Sequence, residues 1–202
     1  AGKSTSLRVL TGKLVADTGT ASIAGHDLQG EPQKARAALG YVPQDGELEP
    51  FLTGEEILEL VAHLRGVPNP KGEIDALLTR FDIGEARRRL TREYSEGMSR
   101  RLALAAALLG DPLVLVLDEP LNGLDPRGVR LVREALKDRQ KAGATILLTG
   151  HFLETLERMC TRVVLIHDGL IARDLDRAAL DALSANGRTL EDVFLEAVST
   201  SD

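Results

Sequence analysis

Apolar residues recur at helical spacing almost from the first residue. Leu7, Leu10 and Leu14 predict a helix from Lys3 to about Val15. TASIAGHDL (20–28) reads as a short strand and turn, and ARAALGYVPQD (35–45) as a short helix running into a strand that ends near Gln44. From 46 to 110 the pattern changes. TGEEILELVAHLRG (53–66), GEIDALLTRFDI (72–83) and GMSRRLALAAALLG (97–110) all have helical periodicity, with Gly or Pro at their ends, and Thr53 with Glu56 has the spacing of a capping box. LVLVLD (113–118) is then a continuous apolar run ended by a carboxylate, as expected of a strand buried on both faces of a parallel sheet.

The remainder keeps the alternation. Pro126 to Ala142 reads as a helix with proline in its first turn, ATILLTG (144–150) as a second buried strand, and RVVLIHDGLIARD (162–174) as strand, tight turn, strand. DRAALDALSA (176–185) and TLEDVFLEAV (189–198) add two short helices, and no internal repeat, low-complexity tract or heptad pattern is visible. The organisation is an α/β domain interrupted by an α-helical lobe at 46–110.

Composition narrows this picture. A chain of 202 residues with 43% apolar content supports one large domain, or one domain with a sub-lobe. A net charge of -6 excludes a broad nucleic-acid surface, which needs clustered excess cation, so Arg87, Arg88, Arg89 and Arg92 read as a solvated helix face. The single cysteine, Cys160, cannot form an internal disulfide, fits a reducing compartment, and has apolar neighbours that suggest a core position. The most apolar run, LALAAALLG (102–110), falls short of the ~20 residues of a membrane-spanning helix, and no signal-peptide pattern is seen, so a cytoplasmic chain is expected.

Two stretches carry candidate chemistry. LVLVLDEP delivers Asp118 and Glu119 to the carboxyl edge of a parallel strand, where such sheets bind ligands. Adjacent acids there are costly unless a cation offsets them, and magnesium on a triphosphate would do so, although an ordinary turn would carry the same pair. The opening AGKST matches the tail of the phosphate loop G-x-x-x-x-G-K-[ST], whose first glycine would precede residue 1. Alone, Gly-Lys-[Ser/Thr] arises by accident in roughly one chain in ten of this length.

The order of elements is more specific than any one of them. A Gly-Lys-Ser helix, a strand ending in Gln44, a helical lobe closed by YSEGMSRRLALAAALLGDP, then LVLVLDEPLNGLD and ILLTGH follow one another. Together they resemble the nucleotide-binding subunit of an ATP-binding cassette (ABC) transporter, of the exporter-type branch, over essentially the whole chain. The resemblance implies an α/β fold: a P-loop NTPase (RecA-like) parallel sheet core formed by 1–45 and 111–202, with 46–110 as an inserted helical subdomain. It also implies that the first strand is missing, because the chain starts inside the Walker A loop, and hence that these residues alone would bind ATP weakly or not at all.

Residue by residue, the resemblance puts Gly2, Lys3, Ser4 and Thr5 at the end of Walker A. There backbone amides at a helix start attract phosphate, Lys3 neutralises the β- and γ-phosphates, and Ser4 offers a hydroxyl to Mg2+. Asp118 and Glu119 fall on Walker B, Asp118 holding Mg2+ through water and Glu119 orienting or deprotonating the attacking water. Gln44 matches the Q-loop glutamine, which contacts metal and water, and His151 matches the switch histidine near the γ-phosphate. YSEGM (94–98) stands in place of the signature LSGGQ, which caps ATP held by a second subunit, so Ser95 and Gly97 would act across a dimer. Glu96 and Met98 depart from that pattern, and an outward-pointing Glu96, favoured by roughly 0.3 to 1 kcal/mol at a helix start, would reconcile the acid with a facing triphosphate. Asp125 matches the D-loop aspartate along the dimer seam, and is equally an N-cap before Pro126. FLTGEEILEL (51–60) lies where the family docks its membrane partner.

The activity implied is ATP hydrolysis coupled to transport, with export suggested by YSEGM and the tail TLEDVFLEAV. The partners implied are ATP, a second nucleotide-binding subunit as homodimer or heterodimer, and a separate transmembrane permease at the cytoplasmic face of the membrane, with no nucleic acid. Two other readings are a soluble ABC-type ATPase and a non-catalytic regulatory module. Retention of Lys3, Gln44, Glu119 and His151 weighs against the second.

Overall fold

The chain enters helix α1 (Lys3–Leu10), shorter than the predicted span to Val15 because Gly12, at φ 70, turns the chain and Thr11 returns its hydroxyl to the Arg8 carbonyl. The computed structural model describes residues 2–45 and 48–199, so Ala1 and the boundary predicted at 46 lie outside the described residues. Two units are distinguished, one of residues 8–149 and one of the first seven residues with those from Gly150 onward, the division falling within α1.

In the first unit the chain continues as a small antiparallel pair, β1 (Ser22–Ile23) and β2 (His26–Asp27), then α2 (Pro32–Ala37) and β3 (Leu39–Val42). Helices α3 (Gly54–Arg65), α4 (Lys71–Arg80) and α5 (Glu96–Leu108) follow before the chain returns to the sheet as β4 (Val114–Leu117). Helix α6 (Pro126–Lys141) leads to β5 (Thr145–Leu148). The three longer strands form a parallel sheet in the order β3-β4-β5, with Val42, Leu117 and Leu148 in register at their carboxyl ends.

The expectation for β4 holds: Leu115, Val116 and Leu117 have no exposed surface. Burying each contributes about 1.5–3 kcal/mol. The expectation for β5 does not hold, since Leu147 is 40% exposed; among the described residues the strand pairs on one side only, with β4. The arginine run is also corrected. Residues 87–89 lie in a turn beyond a short 3-10 segment, and Arg87 is a half-buried clamp between Glu55 (2.6 Å) and Asp75 (2.7 Å), its charge reinforced by both carboxylates.

Local chemistry sets the helix ends. Thr53 and Glu56 form the predicted capping box, with Glu56 N–H donating to Thr53 Oγ1 at 3.3 Å and Thr53 N–H donating to the Glu56 carboxylate at 2.7 Å. At the other end of α3, Arg65 donates to the carbonyls of Ala107, Leu109 and Leu39, drawing the C-terminus of α5 onto the start of β3. Gly40 makes that crossing possible: a Cβ there would lie 2.2 Å from the Ala107 carbonyl oxygen. These contacts join the helical segment to the strand that precedes Gln44.

The second unit holds helix α7 (Leu153–Met159), which periodicity did not reveal, the hairpin β6 (Arg162–His167) and β7 (Leu170–Asp176), and helices α8 (Arg177–Ala185) and α9 (Leu190–Ser199). Val163, Leu165, Leu180, Leu190 and Val193 form its core. Cys160 is only half-buried at the edge of that core, and burial pushes its thiol pKa up. Glu157 organises the loop before α9 by accepting from Ser184 Oγ and from Leu190 N–H.

Candidate functional site

The carboxyl end of β4 leads into two adjacent acids, Asp118 and Glu119. Asp118 extends the ladder beyond β4, its N–H donating to the Val42 carbonyl at 2.9 Å, and it is only 5% exposed. Its Oδ1 accepts a hydrogen bond from Thr149 Oγ1, and no ion pair reaches it among the described residues. A buried carboxylate with one neutral hydroxyl partner is an acceptor suited to a bound cation.

Glu119 follows in the left-handed region, φ 50, a conformation disfavoured for a side chain with a Cβ. Its N–H donates to Thr149 Oγ1 at 3.0 Å, its Oε2 accepts from Asn122 Nδ2, and its carbonyl accepts from Asn122 N–H at 3.2 Å. Thr149 and Asn122 were not anticipated. Thr149 is one position beyond β5 and its N–H donates to Leu117 O at 2.9 Å, so strand register brings its hydroxyl to Asp118 and Glu119. The sequence signal was present in ILLTG, a hydroxyl residue ending an apolar strand.

Tyr41 is a further neighbour that sequence reasoning missed. It lies on β3 opposite Val116, beneath the Lys13 ammonium 4.8 Å from its ring centre. Burial, and then the charge of Asp118, push its phenol pKa upward. Gln44 stands exposed two residues past β3, and its main-chain carbonyl accepts from Arg100 Nη1 at 2.8 Å.

Ser95 caps α5, accepting from Met98 N–H at 3.2 Å, with its side chain exposed. Gly97, the second residue of α5, approaches the Gly123 carbonyl so closely that a Cβ would sit 3.2 Å from that oxygen. Glu96 is exposed and lies over Gly123 of the same chain, whose φ of 70 and lack of a side chain make room for it. Asp125 is the N-cap of α6, accepting from Gly128 N–H at 2.7 Å. The signature segment and the D-loop segment therefore pack on each other through two glycines.

Gly2, Lys3, Ser4, Thr5 and His151 belong to the second unit. Gly2 has φ 103, open to glycine alone, and its carbonyl accepts from Ser6 N–H at 3.0 Å and Ser6 Oγ at 2.9 Å, so α1 begins at Lys3. Lys3 and Thr5 are exposed and Ser4 is half-buried. His151 is exposed, with its ring stacked at a tilt on Phe152, 4.2 Å between centres. Helix α1 thus begins directly at Gly-Lys-Ser.

Residues 1–122 match the model of the family described as ABC transporter. The chain belongs to the ABC transporter family. It is 39% identical over 171 residues to the Nod factor export ATP-binding protein I of Ralstonia nicotianae, covering 84% of this chain and 53% of that protein. It is also 39% identical over 173 residues to the daunorubicin resistance ATP-binding protein DrrA3 of Streptomyces coeruleorubidus, covering 85% and 55%. The human phospholipid-transporting ATPase ABCA7 is 39% identical over 171 residues, which make up 84% of this chain and 8% of that one. The chain therefore spans about half the length of the bacterial relatives and a small part of the human one.

Among solved structures, an ATP-binding subunit of an ABC transporter superposes with a TM-score of 0.90 at 29% identity, covering 98% of this chain and 83% of that chain. The fold is the α/β fold of the P-loop NTPases, in the form used by ABC ATP-binding subunits.

Proposed function

We propose that this ABC family chain is the ATP-binding and ATP-hydrolysing part of a transporter, driving export through a separate membrane subunit at the cytoplasmic face. The observation that carries the reading is the Asp118–Glu119 pair: a buried carboxylate without a cationic partner among the described residues, followed by a second acid held at φ 50. The relatives named for Nod factor export and daunorubicin resistance support the export direction. No helix among the described residues is long and apolar enough to cross a membrane.

In this reading the α/β core takes residues 1–45 and 111–202, and 46–110 form the inserted subdomain with the signature segment. Gly2 amides and the start of α1 receive phosphate, and Lys3 neutralises the β- and γ-phosphates, with Thr5 beside them. Ser4 and Gln44 would offer oxygen ligands to Mg2+, Asp118 would hold it through water, and the bound ion would neutralise phosphate charge. Glu119 accepts the proton of the attacking water, Gln44 and His151 contact the water and the γ-phosphate, and Ser95 and Gly97 act on ATP held by a second subunit, with Asp125 along the seam.

The test compares ATP hydrolysis and ATP binding in the wild type and Glu119→Gln. Hydrolysis is expected to fall by at least about 10²-fold with nucleotide binding retained. Hydrolysis at the wild-type rate in the variant removes Glu119 from the role of general base.

A further inference from the structure

The residue that links the Asp118 carboxylate to the Glu119 backbone lies in ILLTGH, two residues before His151. Thr149 Oγ1 donates to Asp118 Oδ1 and accepts from the Glu119 N–H at 3.0 Å, so one hydroxyl uses its single proton on one acid and a lone pair on the backbone of the next. The hydroxyl itself is held, because the Thr149 N–H donates to Leu117 O at 2.9 Å in continuation of the β4-β5 ladder. Thr149 is half-buried, and the carboxylate it meets is almost fully buried.

We infer that Thr149 is a positioning residue for ATP hydrolysis: its hydroxyl fixes the rotamer of Asp118 and holds the strained backbone of Glu119 where its carboxylate can take a proton from water. This rests on the catalytic reading of Asp118 and Glu119 proposed above. Two consequences follow from the geometry. Asp118 Oδ1 is occupied by the Thr149 proton, which leaves Oδ2, without a hydrogen bond among the described residues, as the oxygen that would meet a metal-bound water. Glu119 at φ 50 has a position that its own conformational preference does not favour, so a neighbour must hold it, and the bond from its N–H to Thr149 does so. Outer partners of metal-binding carboxylates typically change metal affinity by 10- to 100-fold when removed.

The decisive variant is Thr149→Val, which keeps the branched shape and removes the hydroxyl, beside Thr149→Ser, which keeps the hydroxyl and removes the methyl. Three quantities are read on the intact protein: kcat and KM for ATP, the dissociation constant of Mn2+ in the ADP complex by electron paramagnetic resonance, and hydrogen exchange at the Glu119 amide. Expected for valine are a kcat lowered by about tenfold, Mn2+ binding weakened by about tenfold, and faster exchange at Glu119, with KM near the wild-type value. Serine is expected to recover most of the rate and the Mn2+ affinity.

Wild-type kcat and Mn2+ affinity in Thr149→Val overturn the inference, as does a serine variant no better than valine. Should valine prevent folding, Thr149→Ala is read by the same criteria. Asp118→Asn separates the two levels of the argument. If it hydrolyses ATP at the wild-type rate, the catalytic reading of Walker B fails and the inference with it; if it is inactive while Thr149→Val is fully active, only the inference about Thr149 fails.

Discussion

Arg100 donates from Nη1 to the main-chain carbonyl of Gln44 at 2.8 Å, although 56 residues separate them in sequence. Arg100 is 7% exposed, sits five residues beyond Ser95 on the signature helix, and also reaches the Pro43 carbonyl at 3.4 Å. The segment expected to cap a second subunit's ATP and the segment expected to sense the metal are thus joined by one buried side chain.

Replacing Arg100 by Met keeps the aliphatic stem and removes both bonds. The expected loss is roughly 1.5–3 kcal/mol of stability, the range for hydrogen bonds from a charged donor, with carbonyls left unpaired. Urea unfolding measures it. ATP hydrolysis is expected to fall further than this destabilisation alone explains, because Gln44 loses its anchor.

Ser95 has a capping role in the structure and a proposed role toward a second subunit's ATP, and substitutions separate them. Ser95→Ala should cost about 1 kcal/mol by removing the acceptor for Met98 N–H, and should lower turnover. Ser95→Asp should restore the cap and the thermal midpoint while leaving turnover low, because it sets an anion toward phosphate. Turnover restored in Ser95→Asp would argue that the cap alone matters.

Two glycines give opposite expectations for the same change to alanine. At Gly40 the new Cβ would meet the Ala107 carbonyl oxygen at 2.2 Å and Leu115 Cδ2 at 2.6 Å, so Gly40→Ala should destabilise by about 3 kcal/mol, the upper end of ordinary overpacking. Gly72 lies within α4 with nothing within 4 Å of such a Cβ. Gly72→Ala should stabilise by about 0.5–1 kcal/mol. Denaturant midpoints of the two variants measure both.

The capping box of α3 makes stability depend on pH in a definite direction. The Glu56 carboxylate accepts from Thr53 N–H first and from its hydroxyl second, which lowers its pKa from the ordinary 4.5. The unfolded state then binds the proton more readily, so the contribution is complete above the unfolded pKa and is lost as pH falls through the folded one. Glu56→Gln should therefore be less stable than wild type at pH 7, with the gap narrowing toward pH 3. A gap that stays constant from pH 7 to pH 3 in thermal unfolding counts against this role of the carboxylate.

How far the sequence reaches can be seen element by element. The strand at 113–118, the capping box at Thr53 and the N-cap at Asp125 were all legible, because each depends on residues close together in the chain. Helix α7 was not, since LETLERM gives only two turns and no buried face. The arginine run misled for a related reason. Four arginines within six residues suggest a solvated helix, and only the approach of Glu55 and Asp75 makes Arg87 a clamp in a turn.

By itself the sequence determined the order of motifs, the alternation of strands and helices, and the identity of Lys3, Ser4, Asp118 and Glu119 as candidates, since periodicity and spacing are local properties. Only the tertiary structure decided that Thr149 joins Asp118 to Glu119, that Arg100 holds Gln44, and that Gly97 meets Gly123. These pairs are set by parallel strand register and by the docking of α5 across β3. Such contacts join residues far apart along the chain, so a local pattern can mark a residue such as Thr149 at a strand end but does not record its partners.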